Sequence, residues 1–202
     1  MLDSGRSLGL RERKKARTRA SLREHALRLF REKGYQNTTV EQIAAAAEVS
    51  PSTFFRYFPT KEDLVLQDDM DIRMVAAFEQ QPAGLGLVAA VRAAARQMFE
   101  SYTAADMEVL RQTTELTMSV PEIRARAMDE FARTITVVAE AVAKRAGRSP
   151  DDLAVRTAAG AIIGVIMATT MPWETWPERG GFEDMFGRID EALALLEAGL
   201  PL

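Results

Sequence analysis

Apolar residues recur at three- and four-residue steps along most of the chain, and no two-residue alternation persists. The pattern predicts an all-α protein of about nine helices. The first spans about 11–33 and turns Ala26, Leu27, Leu29 and Phe30 toward a core. Two short helices follow at 40–47 and 51–57, then a longer one at 61–80. Gln81-Pro82-Ala83-Gly84 is a break, and helices of about 86–103 and 106–118 come next. Ser119, Pro121 and Glu122 mark a new start that runs to about Arg145. Gly147-Arg148-Ser149-Pro150 ends it, with Ser149 expected to cap the next helix, about 150–171. The last helix covers about 182–199.

The short pair carries the most chemistry. Thr39 precedes an apolar run and Gln42 lies three residues on, which makes a capping box. Val40, Ile43, Ala44 and Ala47 form one apolar face, small enough for a second helix to approach closely. Val49 is expected to plug the turn. Ser50 suits an N-cap, and Pro51 suits a first turn where its missing N–H costs nothing. Phe54, Tyr57 and Phe58 are expected on the core side, and Ser52, Thr53, Phe55 and Arg56 nearer the open side. Thr60 to Asp63 is a further T-x-x-D cap, with Lys61 in its first turn. Two helices joined by a tight turn, the second opening S-P-S-T, form the pattern of a helix-turn-helix reader of the DNA major groove.

Charge sharpens that picture. The 202-residue chain is mildly acidic, with 26 Lys and Arg against 29 Asp and Glu. Residues 1–60 nevertheless hold 12 basic and 6 acidic side chains, whereas residues 61–202 hold 14 and 23. Arg11, Arg13, Lys14, Lys15, Arg17 and Arg19 lead into the first helix. A basic head on an acidic body is the footprint of a polyanion contact at one end. The expected organisation is an arm at 1–10 that is disordered, a DNA-binding domain at 11–60, and a ligand-binding and dimerisation domain at 61–202.

Residues from about Arg11 to Leu66 resemble the N-terminal DNA-binding domain of the TetR/AcrR family of transcriptional regulators. The resemblance rests on Ala26-x-x-Leu29-Phe30, Gly34-Tyr35, Thr38-Thr39-Val40, Ile43-Ala44, Val49-Ser50, Thr53-Phe54-Phe55-x-Tyr57-Phe58 and Lys61-Glu62-x-Leu64. It implies that Ser50, Pro51, Ser52, Thr53, Phe55 and Arg56 present the DNA-reading helix. It also implies that Thr39, Tyr57 and Lys61 match phosphate-contacting positions. The arm Arg11, Arg13, Lys14, Arg17 and Arg19 would add backbone or minor-groove contact. Two positions depart from the family pattern. Glu48 stands in the turn where many members have Gly, and Phe55 stands where many have Tyr.

In the eighth expected helix, Gly160 and Gly164 lie among Ala158, Ala161, Ile162, Val165, Ile166 and Thr169. In the ninth, Phe182, Phe186, Ile189, Leu193, Leu196 and Leu200 repeat at helical steps. An internal hairpin and a homodimer through helices near 150–171 and 182–199 both fit, and the resemblance implies the dimer. Thr157 to Trp173 is uncharged and about as long as the shortest membrane span, but its Ala, Gly and Thr content suits a buried interface better.

The middle helices carry stripes of Met and aromatic residues. Met74, Phe78, Met98, Phe99, Tyr102, Leu110, Thr114, Met118 and Phe131 are the candidate walls of an adaptable apolar pocket, and equally a plain core. Thr113 and Thr117 are candidate hydroxyl donors, and Arg124 and Arg126 candidates for an entrance. Pro172-Trp173-Glu174-Thr175-Trp176-Pro177 is a candidate lid. The body also resembles the subgroup typified by the mycofactocin regulator, which implies an acyl-CoA-type ligand.

Enzymatic chemistry finds little support. The only histidine, His25, lies among Arg23, Glu24 and Arg28, and there is no cysteine. Disulfides, thiolate zinc sites and cysteine nucleophiles are thereby excluded, which suits a reducing cytoplasm. The N-terminal stretch lacks the apolar segment of a secretory signal. No metal or cofactor is expected. The reading is a ligand-responsive regulator with a double-stranded DNA operator and a small-molecule effector as partners, and no membrane. The alternative is a helical ligand-binding module without specific DNA binding.

Overall fold

A computed structural model describes residues 9–66, 70–170 and 184–201. Among these residues the chain is helical throughout, with ten helices. It divides into two compact units, Met1–Gln67 and Asp68–Leu202.

The first unit contains α1 (Leu10–Lys33), α2 (Val40–Ala46), α3 (Pro51–Tyr57) and α4 (Asp63–Leu66). Leu22, Ala26, Leu27, Leu29 and Phe30 of α1 are buried, as the spacing predicted for all but Leu22. They meet a core that holds Tyr35, Ile43, Ala44, Phe54, Phe58, Leu64 and Val65. Because Leu64 and Val65 are buried and α4 packs on α1, the unit extends past the expected boundary at residue 60. Arg23 reinforces this packing by donating to the Val65 carbonyl at 3.2 Å. Within the helix expected over 61–80, Asp63–Leu66 and Met70–Glu79 are helical, and residues 67–69 between them lie outside the described residues.

Local signals fix these short helices. Thr39 and Gln42 form the reciprocal capping box of α2, and the Ser50 side chain accepts from the Thr53 N–H at 3.1 Å to cap α3. Thr60 and Asp63 close the same kind of box, with bonds of 3.0 and 3.3 Å. Gly34 ends α1 at φ 83, a left-handed φ that suits glycine. Glu48 occupies the turn between α2 and α3 at φ 55. A β-carbon in that conformation costs on the order of 1 kcal/mol. Glu48→Gly is therefore expected to stabilise the unit by about that much. The denaturant midpoint should rise, and an unchanged midpoint would show that the turn carries no strain.

The second unit contains α5 (Met70–Glu79), α6 (Leu87–Glu100), α7 (Ala104–Ser119), α8 (Pro121–Ala146), α9 (Leu153–Thr170) and α10 (Met185–Glu197). The long α8 is central: α5, α7 and α9 all pack against it, and α10 rests on α6 and α9. One core cluster gathers Phe78, Ala90, Val91, Ala94, Ala141, Ile162 and Leu193. A second joins Ala139, Val142 and Ala143 of α8 to Val155 and Ala159 of α9. Gly147 ends α8 in the left-handed region at φ 63. Two starts differ from expectation. Ser149 accepts from the Asp151 N–H, while Asp152 accepts from the Ala154 N–H at 2.8 Å and takes over the cap of α9. Helix α7 begins at Ala104, because Thr103 and Asp106 make a capping box that the expected start at 106 overlooked.

Candidate DNA-reading face and effector body

Helix α3 is short, so its orientation depends on what lies beneath it. Phe54 and Phe58 are fully buried, with ring centroids 6.0 Å apart. Tyr57, expected beside them, is only half-buried. On the opposite side Pro51, Ser52 and Arg56 are exposed, and Phe55 is 52% exposed. The guanidinium of Arg56 lies 5.3 Å from the Tyr57 ring centroid. Thr53 is half-buried, with its hydroxyl 3.0 Å from that of Ser50. The expected base-reading residues thus share one side of a helix whose other side is anchored by two aromatic rings.

The expected phosphate contacts fare differently. Thr39 is exposed at the start of α2, where its hydroxyl accepts from the Gln42 N–H at 3.3 Å and its side chain also hydrogen-bonds the Glu41 carboxylate. Arg11, Arg13, Lys14, Lys15 and Arg17 are exposed along the first turns of α1. Arg19 is half-buried, with its guanidinium 5.2 Å over the Phe58 ring. Residues 1–8 of the expected arm lie outside the described residues.

Lys61 is turned inward. Its ammonium donates to the carbonyls of Tyr35 at 2.9 Å and Thr38 at 3.0 Å. It also lies 4.0 Å from the Tyr35 ring centroid. The Tyr35 hydroxyl donates to the Glu62 carboxylate. Burial alone would raise the Glu62 carboxyl's pKa, but the bonds from Tyr35, its own backbone and Thr60, with the charge of Lys61, together hold it below its ordinary value. Sequence spacing gave no sign of these contacts across more than twenty residues. The lone histidine, His25, is half-buried on α1, with Nδ1 3.3 Å from Arg28.

In the body, several candidate pocket residues are core. Phe78 is buried in the first cluster and Met74 packs against it. Met98, Leu110 and Met118 are buried, and Thr114 and Phe131 are half-buried. Thr113 and Thr117 spend their hydroxyls on carbonyls of their own helix. Arg124 donates to the Met118 carbonyl, and Arg126 pairs with Asp129 and Glu130. Tyr102 lies just past α6, edge-on to Phe99.

Phe99 also lines a concavity of about 260 Å³ between α6 and α10. Ala95, Phe186, Ile189 and Leu193 form its apolar surface, and Arg92, Arg96, Glu100 and Asp190 bring charge to it. Arg92 bridges Asp190 through two bonds of 2.9 and 3.0 Å and reaches Glu197 at 2.8 Å. The bond from Arg92 is the main reason the Asp190 carboxyl is held below its usual range. No local signal foretold this network, whose partners lie some hundred residues apart.

Helix α9 is long and apolar enough to cross a membrane, yet only 22% of it is buried within the body. Val155, Ala159, Ile162 and Ile163 face inward. A β-carbon added at Gly160 or Gly164 would meet open space. Along α10, Ile189, Leu193 and Leu196 pack into the body's own core, so the stripe expected to pair with a second copy is largely used internally. Phe182 and the candidate lid at 172–177 lie outside the described residues.

Known proteins share both units. Residues 22–67 match the family model described as bacterial regulatory proteins, tetR family, and residues 85–201 match that of the MftR C-terminal domain. TcmR of Streptomyces glaucescens, an HTH-type transcriptional regulator, is 53% identical over 78 residues; the match covers 38% of this chain and 34% of TcmR. A Mycobacterium tuberculosis protein named as the mycofactocin biosynthesis transcriptional regulator MftR is 25% identical over 163 residues, 80% of this chain and 82% of that one. The Thermus thermophilus repressor FadR, solved with lauroyl-CoA, is 26% identical with a TM-score of 0.55, covering 91% of this chain and 95% of FadR. With the N-terminal match on the helix-turn-helix unit and the C-terminal match over more than half of the residues, the chain belongs to the TetR family of transcriptional regulators and carries an MftR-type C-terminal domain.

Proposed function

We propose that the protein is a repressor that binds an inverted-repeat operator as a homodimer and leaves it when an apolar, acyl-type molecule occupies its body. The observation that carries the DNA part is the outward side of α3, where Ser52, Phe55 and Arg56 are exposed over the buried Phe54 and Phe58. Arg56 is the base-reading residue, because a guanidinium pairs two donors with the two acceptors of guanine in the major groove. Ser50, Pro51 and Thr53 bring the helix start close to the duplex. Thr39 and Tyr57 supply neutral phosphate contacts, and Arg11, Arg13, Lys14 and Arg17 charged ones. Such a protein works on cytoplasmic DNA.

A reading helix of two turns offers little groove surface, so two copies about one DNA turn apart are needed for specificity. The exposed small-residue side of α9 supports the pairing, since a second copy would cover apolar surface that the protomer leaves open. The effector class rests on the likeness to FadR, which was solved with lauroyl-CoA. Met98, Phe99, Tyr102, Leu110, Met118 and Phe131 are the walls proposed for its apolar part. Release requires only that the ligand favour one setting of the body over another. An effector that bound the free and operator-bound protein equally would refute that step.

Selection of bound sequences from random duplex DNA at near-physiological salt tests the reading. Recovery of an inverted repeat supports it. Recovery of nothing beyond salt-sensitive background leaves the ligand-binding module. On the recovered operator, Arg56→Ala is expected to lose about 1–3 kcal/mol of binding and to relax preference at one base pair of each half-site. An unchanged preference among operator variants removes Arg56 from the reading role.

A further inference from the structure

We propose that the concavity between α6 and α10 is a binding site for a small apolar α-amino acid, separate from the acyl effector proposed above. Its volume of about 260 Å³ lies just below the ~300–1,000 Å³ usual for drug-sized ligands, so the occupant is small. The floor is apolar and partly aromatic. Ala95 and Phe99 come from α6, and Phe186, Ile189 and Leu193 from α10. The rings of Phe99 and Phe186 touch, and Phe99 is also set edge-on to Tyr102 at 5.7 Å. Such a floor takes a hydrocarbon or aromatic side chain without burying an unpaired polar group.

The charged residues narrow the class. Arg92 is committed, giving Asp190 two bonds of 2.9 and 3.0 Å and Glu197 one of 2.8 Å. These three bonds tie α6 to α10, so the walls hold their spacing before a ligand enters. Two other groups are left for a ligand. The Arg96 side chain is 62% exposed and reaches Asp190 only at 3.5 Å, too long to occupy its fork of donors. Among the described residues the Glu100 carboxylate, which also lines the concavity, has no bonded partner. Arg96 and Glu100 stand four residues apart on α6, in the order basic then acidic, which is the weaker order for direct pairing along a helix. A ligand with one charge satisfies one of them and is repelled by the other. A ligand with both satisfies both: its carboxylate accepts from Arg96 and its ammonium donates to Glu100. One helical turn, roughly 6 Å of rise, separates the two residues, a span that flexible side chains close around an ammonium and a carboxylate on one carbon. The apolar group on that carbon then lies against Phe99 and Phe186.

Calorimetric titration of the full-length protein with L-phenylalanine tests the site, with hydrocinnamate and phenethylamine as analogues that keep one charge each. One-to-one binding with a dissociation constant of about a millimolar or tighter is expected, weakened about three- to tenfold when either ligand charge is removed. Glu100→Gln should weaken L-phenylalanine by the same factor and spare hydrocinnamate. Arg96→Gln should weaken L-phenylalanine and spare phenethylamine. Both residues are exposed, so neither change threatens the fold. No saturable binding up to about 10 mM overturns the site. Analogue affinities equal to that of the amino acid would show apolar adsorption alone and overturn it too. Equal weakening of all three ligands by either variant would remove Arg96 and Glu100 from the assigned roles and sink the proposal. One-for-one displacement of L-phenylalanine by lauroyl-CoA would make the concavity part of the acyl site, whose proposed walls include Phe99, and would overturn the separate assignment while supporting the effector reading.

Discussion

Phe54→Ala is expected to unfold the first unit and abolish binding to every DNA sequence, while Phe55→Ala, one residue on, leaves the fold intact. Phe54 is fully buried against Phe58, at the base of α3. Truncating a buried phenylalanine costs about 3–5 kcal/mol, the lost transfer energy plus the cavity. A unit of this size has roughly 3–9 kcal/mol in total, so most of its stability goes with one ring. Phe55 is 52% exposed, and removing it should change stability by no more than about 0.5 kcal/mol. Hydrogen exchange resolved by segment separates the cases. In Phe54→Ala, protection should vanish over 22–66 and persist over 87–170. Retained protection in the first segment would show that the caps and α1, not this ring, hold α3 in place.

The contrast between neighbouring phenylalanines shows what the sequence made legible. A cap at Ser50, proline at the next position and apolar residues four apart set both the start of α3 and its buried side. Those are local facts, and local facts can be read from spacing. The capping boxes at Thr39 and Thr60 were legible for the same reason, whereas Glu48 stood out only through the family resemblance, which implies glycine at that turn position. The inward turn of Lys61 was not legible, because its acceptors are backbone carbonyls, which leave no mark in a sequence. Likewise the bridge from Arg92 to Asp190 and Glu197 joins α6 to α10, and pairing between distant helices is a property of packing. The body's Met and aromatic stripes marked apolar faces correctly. They did not distinguish a core position such as Phe78 from a concavity position such as Phe99, since both demand the same residue types.

Gly164→Glu is expected to leave each protomer folded and to break the homodimer proposed above. In the protomer a side chain at Gly164 meets open space, so the substitution adds no clash within the chain. Helix propensity even improves slightly, because glycine is the poorer helix former by up to about 1 kcal/mol. If a second copy covers this side of α9, the outcome reverses. The glutamate would then enter an apolar contact built on Thr157, Gly160, Ala161 and Ala168, where its charge has no partner. Burying an unpaired carboxylate costs several kcal/mol, and a two-fold interface buries one from each copy. The dissociation constant should rise by at least about a thousandfold, which corresponds to some 4 kcal/mol. Sedimentation would show a dimer for the parent and a monomer for the variant at the same concentration, with identical helical signal. Operator binding would fall with it, because one two-turn reading helix holds only a half-site. A variant that remains dimeric would place the interface elsewhere and leave the exposed side of α9 for another partner.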